Sequence, residues 1–310
     1  VQEVKILLGL SGSGKTSYAR KYYLEHFNEP WCVYSSDVIR KELFGDENDQ
    51  THNAQVFDKM WERVKKCLDT NMNVIYDATN LSHRRRKHLI NQIRSLRKDI
   101  FISVDVIMAT PKECIFRQNL RDRKVPEEVI WRQLINFNIP TYDEGMDIIN
   151  YVHTNSCTER DDYLLSVINS SQEIYINNPH HRLETIFAHC MEVEKYILNK
   201  VNVIEYFTYQ DLGLYHDLGM VFTKTTDNNN IDHFYQHENA STYLSLLRPH
   251  LNEQHIIFQS TIIYYHMRKF NNPQYDLFIE HLPLNIKNGL LLLNEADSQY
   301  SQITNNEVIN

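Results

Sequence analysis

Apolar positions in the first half of the chain fall into short runs separated by stretches of helical spacing. Val4–Leu8 is a short, mostly apolar run closed by Gly9, Thr16–Phe27 spaces its apolar residues as a helix does, and Trp31–Tyr34 is another short run. Gln55–Thr70 again has helical spacing, and Val74–Tyr76 and Ile102–Met108 read as buried strands. Strands alternating with helices predict βαβ units and a parallel sheet flanked by helices. After the polar stretch His153–Asn178 the alternation stops. Glu184–Asn199, Glu238–Leu247, Glu253–Met267 and Leu284–Tyr300 are long helical patterns, which predict an all-α part. The expected division is an α/β domain over residues 1–155 and an all-α domain over 156–310.

At 310 residues the chain has room for two such cores. The opening apolar residues run straight into a glycine loop, so they read as a strand and not as a secretory leader. No apolar run approaches the roughly 20 residues of a membrane helix. Five scattered cysteines without a CxxC pair argue against a zinc ribbon or a disulfide framework, and a cytoplasmic setting is expected. The net charge of −8 is uneven: residues 1–152 carry 23 basic and 21 acidic side chains, the remainder 9 and 19. That balance argues against tight, sequence-blind binding to duplex nucleic acid.

The first candidate chemistry is Gly9-Leu10-Ser11-Gly12-Ser13-Gly14-Lys15-Thr16, a GxxxxGK[ST] phosphate loop between a strand and a helix. Main-chain N–H groups of Ser11, Gly12, Ser13 and Gly14 are expected on ATP phosphates, Lys15 on the β/γ-phosphates and Thr16 on Mg²⁺. Asp77, closing the run Val74-Ile75-Tyr76, stands at the carboxyl end of a strand and suits a second Mg²⁺ contact. In Ser35-Ser36-Asp37-Val38-Ile39-Arg40, Asp37 and Arg40 share a helix face. The pair reads either as a proton acceptor beside a phosphate grip or as a plain helix start with a solvated arginine. The run Arg84-Arg85-Arg86-Lys87 reads as a solvated helix face, with a binding surface as the alternative. Arg117 and Arg121, four apart, would aim at one point as a lid over ATP phosphates, and Val125-Pro126-Glu127-Glu128 looks like a new helix start.

The order GxSGSGKT, SSDxIR, DATN, RxxxR and VPEE resembles the polynucleotide-kinase branch of P-loop kinases, over about the first 150 residues. The resemblance implies Asp37 as general base and Arg40 as a contact to the 3′-side phosphate of the acceptor. It further implies Arg117 and Arg121 as lid residues, with Arg121 the better match; Arg123 has no counterpart.

Histidines crowd the second half, several on apolar helix faces. His189 aligns with Ile186, Val193 and Ile197, His237 with Ala240, Ser241 and Leu244, and His266 follows Ile262 and Ile263. One such histidine reads most simply as a hydrogen-bonded core residue. Asp297, beside Ala296 on an otherwise apolar face, needs a partner or a metal, because an unpaired buried carboxylate costs several kcal/mol. The order His189, His216-Asp217, His237, His266, Asp297 resembles the HD phosphohydrolase superfamily, over roughly residues 180–300. That resemblance implies one or two divalent transition metals (Mn, Fe, Co, Ni or Zn). His189, His216, Asp217 and Asp297 would hold one, and Asp217 would bridge to a second held with His237 and His266. His180, His181 and Arg182 are either substrate-phosphate contacts or a polar helix entry.

Together the two resemblances imply a bifunctional enzyme that heals RNA or DNA ends. Its partners would be 5′-OH nucleic-acid ends and a separate ligase, with no membrane. It would phosphorylate 5′-OH ends with ATP and Mg²⁺ and act as a phosphohydrolase on 2′,3′-cyclic phosphate or 2′-phosphate ends. The alternative is a nucleoside or small-metabolite kinase joined to a nucleotide phosphohydrolase. Known bacterial fusions of this kind carry the HD part first, the reverse of the order here.

Overall fold

The computed structural model describes residues 1–47, 49–121, 124–178 and 184–301. These separate into two compact units, Val1–Gln133 with Pro140–Asn155, and Leu134–Ile139 with Ser156–Asn310.

The first unit alternates as its apolar runs require: β1 (Glu3–Leu8), α1 (Lys15–Glu25), β2 (Trp31–Ser35), α2 (Ser36–Phe44), α3 (Asn53–Asp69), β3 (Asn73–Asp77), α4 (His83–Leu96), β4 (Phe101–Met108), α5 (Pro111–Asn119), α6 (Glu127–Ile135) and β5 (Ile148–His153). All strand pairings are parallel, in the order β2-β3-β1-β4-β5. The runs of β1, β3 and β4 bury apolar side chains on both faces, as a sheet covered on both sides demands, with a buried Lys5–Ser103–Asp105 group set among them on one face. Leu7, Ala19, Trp31 and Ile75 form one cluster between the sheet and α1. Register places Leu7 and Ser35 on either side of Asp77, so β1, β3 and β2 end in a row, at the edge where open α/β sheets bind ligands.

Strand β5 has no strong apolar signature and is only half-buried, because it is an edge strand, as β2 is at the other side. The basic run on α4 is not one solvated face. Arg84 and Arg85 are exposed, but Arg86 is 1% exposed and pairs through both ends of its guanidinium with Glu144 at 2.8 and 2.6 Å. The helical period turns the third arginine inward, and a buried carboxylate meets it there.

The second unit consists of helices α7 (Cys157–Ser171), α8 (Ile186–Lys200), α9 (Tyr206–Tyr209), α10 (Leu212–His216), α11 (His237–Leu246), α12 (Glu253–Tyr265), α13 (Arg268–Asn271), α14 (Tyr275–Glu280) and α15 (Leu284–Ser301). Two small antiparallel pairs depart from an all-α part: β6 (Tyr175–Ile176) with β7 (Glu184–Thr185), and β8 (Thr225–Thr226) with β9 (Asp232–His233). Helix α7 occupies most of the polar stretch His153–Asn178; it opens with a Ser156–Glu159 capping box. Helix α8 buries Ile186, Cys190, Val193 and Ile197, each apolar side chain worth about 1.5–3 kcal/mol for the larger ones, and carries His189 inside with them. Among the described residues no helix is long and apolar enough to cross a membrane.

Candidate functional sites

The first site is a cleft of about 520 Å³ at the strand ends of the first unit. The loop from Gly9 to Thr16 wraps its floor, and Gly12 shows why the turn needs glycine. Its φ is 88°, and a Cβ there would stand 2.4 Å from the Cys114 carbonyl oxygen. Ser11, Gly12, Gly14, Lys15 and Thr16 line the cleft. Lys15 donates to the carbonyls of Gly9 and Leu10 at 3.0 and 2.7 Å, folded back on its own loop. Burial pulls its ammonium below the usual lysine range, with Asp77 pulling the other way; burial pushes the Asp77 carboxyl up, opposed by Lys15. Thr16 Oγ1 donates to Asp77 Oδ2 at 2.8 Å. A hydroxyl and a carboxylate oxygen side by side at the loop are the hard oxygen donors that Mg²⁺ takes beside phosphates, so the residues present fit that ion.

Asp37 lies in the first turn of α2 and opens onto the same cleft with its side chain 47% exposed. Arg40, buried behind it, donates to Asp37 Oδ1 at 2.9 Å and to Asn53 Oδ1 at 2.9 Å. The arginine is therefore not the solvated residue of an ordinary helix start. Its Nε makes no hydrogen bond among the described residues. Arg121, Lys124, Arg85 and Arg132 complete a basic rim.

Two expected ATP contacts do not line the cleft. Ser13 is buried, with its N–H given to the Leu10 carbonyl. Arg117 and Arg121 do not converge, because α5 ends at Asn119 and helical spacing no longer relates them. Arg117 is captured by Glu113 at 2.7 Å and by Thr154, and its Nη1 reaches the carbonyls of Gly12 and Ser13 at 3.4 and 3.3 Å. It braces the loop from outside. Gln133, which no sequence signal marked, latches it again: its side chain accepts from Ser11 N–H at 2.8 Å and donates to Ser11 Oγ at 3.0 Å. Arg123, His180, His181 and Arg182 lie outside the described residues.

The second site is buried among the helices of the second unit. The structure brings His189, His216, Asp217 and Asp297 together, and Asp217 with His237 and His266, each set with its donor atoms within 4.8 Å of one another. Asp217 serves both sets. Its Oδ2 faces His189 Nε2 at 3.5 Å and His216 Nε2 at 3.3 Å, and its Oδ1 faces His237 Nε2 at 3.0 Å and His266 Nε2 at 3.2 Å. Asp297 Oδ1 stands 3.3 Å from His189 Nε2 and 3.9 Å from His216 Nε2.

The backbone sets the orientation of three of these rings. Nδ1 of His216, His237 and His266 lies 2.7, 2.6 and 2.6 Å from the carbonyls of Gly213, Phe234 and Ile263. A carbonyl only accepts, so each Nδ1 carries hydrogen and each neutral ring presents its Nε2 lone pair inward. The Nε2 atoms of His237 and His266 are 3.2 Å apart, an arrangement that needs a proton or a cation between them. Burial lowers the His237 imidazole, and Asp217 more than reverses this, raising it to about 9. Burial works against ionisation of Asp217, yet His216 and His237 hold it well below the usual carboxylate range. Imidazole and carboxylate donors converging on shared points, with Asp217 Oδ1 lacking a hydrogen bond among the described residues, fit one or two divalent transition metals.

Comparisons with known proteins bear on the first site. A family model described as an AAA domain matches residues 4–140. The chain is similar to heterogeneous nuclear ribonucleoprotein U-like protein 2 of Homo sapiens, 26% identical over 166 residues, which cover 48% of this chain and 21% of that protein. It is also similar to L-seryl-tRNA(Sec) kinase of Methanococcus maripaludis, 24% identical over 175 residues, 56% of this chain and 66% of the kinase. The chain thus spans about a fifth of the first relative and just under two thirds of the second. Among solved structures, a chain of the Pnkp1/Rnl/Hen1 RNA repair complex matches with 25% identity and a TM-score of 0.37, over 44% of this chain and 43% of that one. With its phosphate loop at the end of β1 and its parallel sheet, the first unit is a P-loop domain of the kinase type, which implies ATP and Mg²⁺.

Proposed function

We propose that the chain heals nucleic-acid ends with two activities. The P-loop unit would transfer the γ-phosphoryl group of ATP to a 5′-OH end. The helical unit, an HD-type phosphohydrolase, would hydrolyse a 2′,3′-cyclic phosphate or 2′-phosphate end. The observation that carries the kinase reading is Asp37: an exposed carboxylate in the same cleft as Lys15 and Thr16, held by a buried arginine. Asp37 would take the proton of the attacking hydroxyl. Arg40 would orient that carboxylate and offer charge to a phosphate already on the acceptor. Lys15 would leave the carbonyls of Gly9 and Leu10 for the transferred phosphoryl, and Arg121 would close on it from the rim. Similarity to a protein named L-seryl-tRNA(Sec) kinase supports an acceptor carried on RNA.

In the helical unit, His189, His216, Asp217 and Asp297 would hold one divalent ion, and Asp217, His237 and His266 another. Such ions supply a Lewis acid that activates water and clamps a phosphoryl oxygen. The protein's own part is to fix five donors by backbone and packing and to keep Asp217 ionised between the two sets.

End-labelling with radiolabelled ATP tests the first activity. A 5′-OH oligonucleotide should be labelled far better than a mononucleoside. Equal labelling, or labelling of the nucleoside alone, would replace this reading with that of a small-metabolite kinase. For the second activity, opening of a 2′,3′-cyclic phosphate end to the monoester, or release of phosphate from a 2′-phosphate end, should depend on added Mn²⁺, Co²⁺ or Ni²⁺ and vanish with chelator.

A further inference from the structure

Helix α10 is too short to hold itself. It has five residues and no side-chain cap of its own, little more than the single turn whose nucleation is unfavourable. Yet it ends in His216 and is followed by Asp217, two members of the cluster. What fixes it comes from α8. Glu194, only 6% exposed, accepts from Asp211 N–H at 2.7 Å through Oε1 and from Gly213 N–H at 2.8 Å through Oε2. These N–H groups open the turn and have no partner within it. Glu194 therefore caps α10 from a neighbouring helix, with negative charge at the positive end of the turn.

Gly213 passes that hold on to the ring. Its N–H is bound by Glu194 and its carbonyl accepts from His216 Nδ1–H at 2.7 Å. A Cβ at position 213 would stand 2.3 Å from the Glu194 nitrogen, so α8 and α10 meet backbone to backbone. Glu194 also lies on α8 five residues after His189, which joins both helices to the same donor set. A second hold closes the other side, where the buried Arg248 sits 4.7 Å over the Tyr215 ring. A buried carboxylate is a costly way to pack two helices, since an apolar side chain fills such space without desolvating charge. It is warranted where direction matters.

We infer that Glu194 is a positioning residue for the cluster: through Gly213 it sets the direction of the His216 ring, and through the start of α10 it sets the distance from His189 to His216 and Asp217. This rests on reading the cluster as a metal centre, and a Co²⁺ titration separates the two claims. Wild-type protein should bind Co²⁺ and show its visible d–d bands; if it binds none, the metal reading fails first. Glu194→Gln keeps the volume but turns an NH₂ group toward a backbone N–H. It should weaken Co²⁺ binding by roughly ten- to a hundredfold, the usual effect of losing an outer partner of a ligand. Its d–d bands should also change, while the far-UV circular dichroism of the metal-free protein stays that of wild type. If wild type binds and the folded variant binds equally well with the same spectrum, the inference is overturned. Should Glu194→Gln not fold, Glu194→Asp takes its place. Its shorter carboxylate reaches only one of the two N–H groups, so an intermediate loss is expected, and wild-type affinity in that folded variant would likewise overturn the inference.

Discussion

The cleft of the first unit draws much of its lining from three short stretches at the ends of neighbouring strands: Ser11–Thr16 apart from Ser13, Ser35–Arg40 and Asp77–Thr79. The cluster of the second unit has no such stretches. It consists of side chains from α8, α10, α11, α15 and the segments after α10 and α12, spread from residue 189 to residue 297, and only His216 and Asp217 are adjacent. The first site is thus placed by the sheet, and it should survive the loss of one side chain. The second exists only while each buried donor balances the next, because a lone charge left inside costs several kcal/mol.

The sharpest test of that contrast is to delete one member from each. Asp217→Ala should abolish metal uptake altogether, read by metal analysis of the purified protein, since both donor sets share this residue. Asp37→Ala should leave ATP binding near wild type by calorimetry and lower the turnover of phosphoryl transfer by about 10²–10⁴-fold, the contribution of a general base. If ATP binding falls as steeply as turnover, the cleft depends on its side chains after all. Next in size is Glu144→Ala, which leaves Arg86 buried without its carboxylate and should destabilise the first unit by about 3–5 kcal/mol in urea unfolding. The smallest effect belongs to the cap of α8. Thr185 Oγ1 accepts from Ala188 N–H at 3.2 Å, and Thr185→Ala should cost about 1 kcal/mol with no change in metal content.

The same contrast governs how much could be read from the amino-acid order. The strands of the first unit were legible as apolar runs, and the phosphate loop as a contiguous pattern that only a close approach to phosphate requires. The cluster was legible through its resemblance to the HD order, supported by Asp297 and the histidines sitting where apolar side chains belong. Glu194 carries that same sign, a carboxylate on the apolar face of α8 beside Val193 and Ile197, but it belongs to no ligand pattern. Other features have no local signature. Gln133 reaches Ser11 across 122 positions of sequence, and the inward turn of Arg86 depends on Glu144, 58 positions away. Arg117 misleads because residue spacing assumes a helix that in fact stops at Asn119.

The arginines of α4 have one more effect, at the β5 edge of the sheet. Arg86 holds Glu144, and Arg94 holds the Gly145 carbonyl at 3.0 Å and Asp147 at 2.7 Å, while Asp147 also accepts from Ile102 N–H at 2.7 Å. The chain is therefore riveted just before it enters β5. Edge strands usually fray first and offer a template for aggregation. Here the amides that β5 shares with β4 cannot loosen from that end without tearing out a buried ion pair, so their exchange with deuterated solvent should follow opening of the whole unit instead of local breathing.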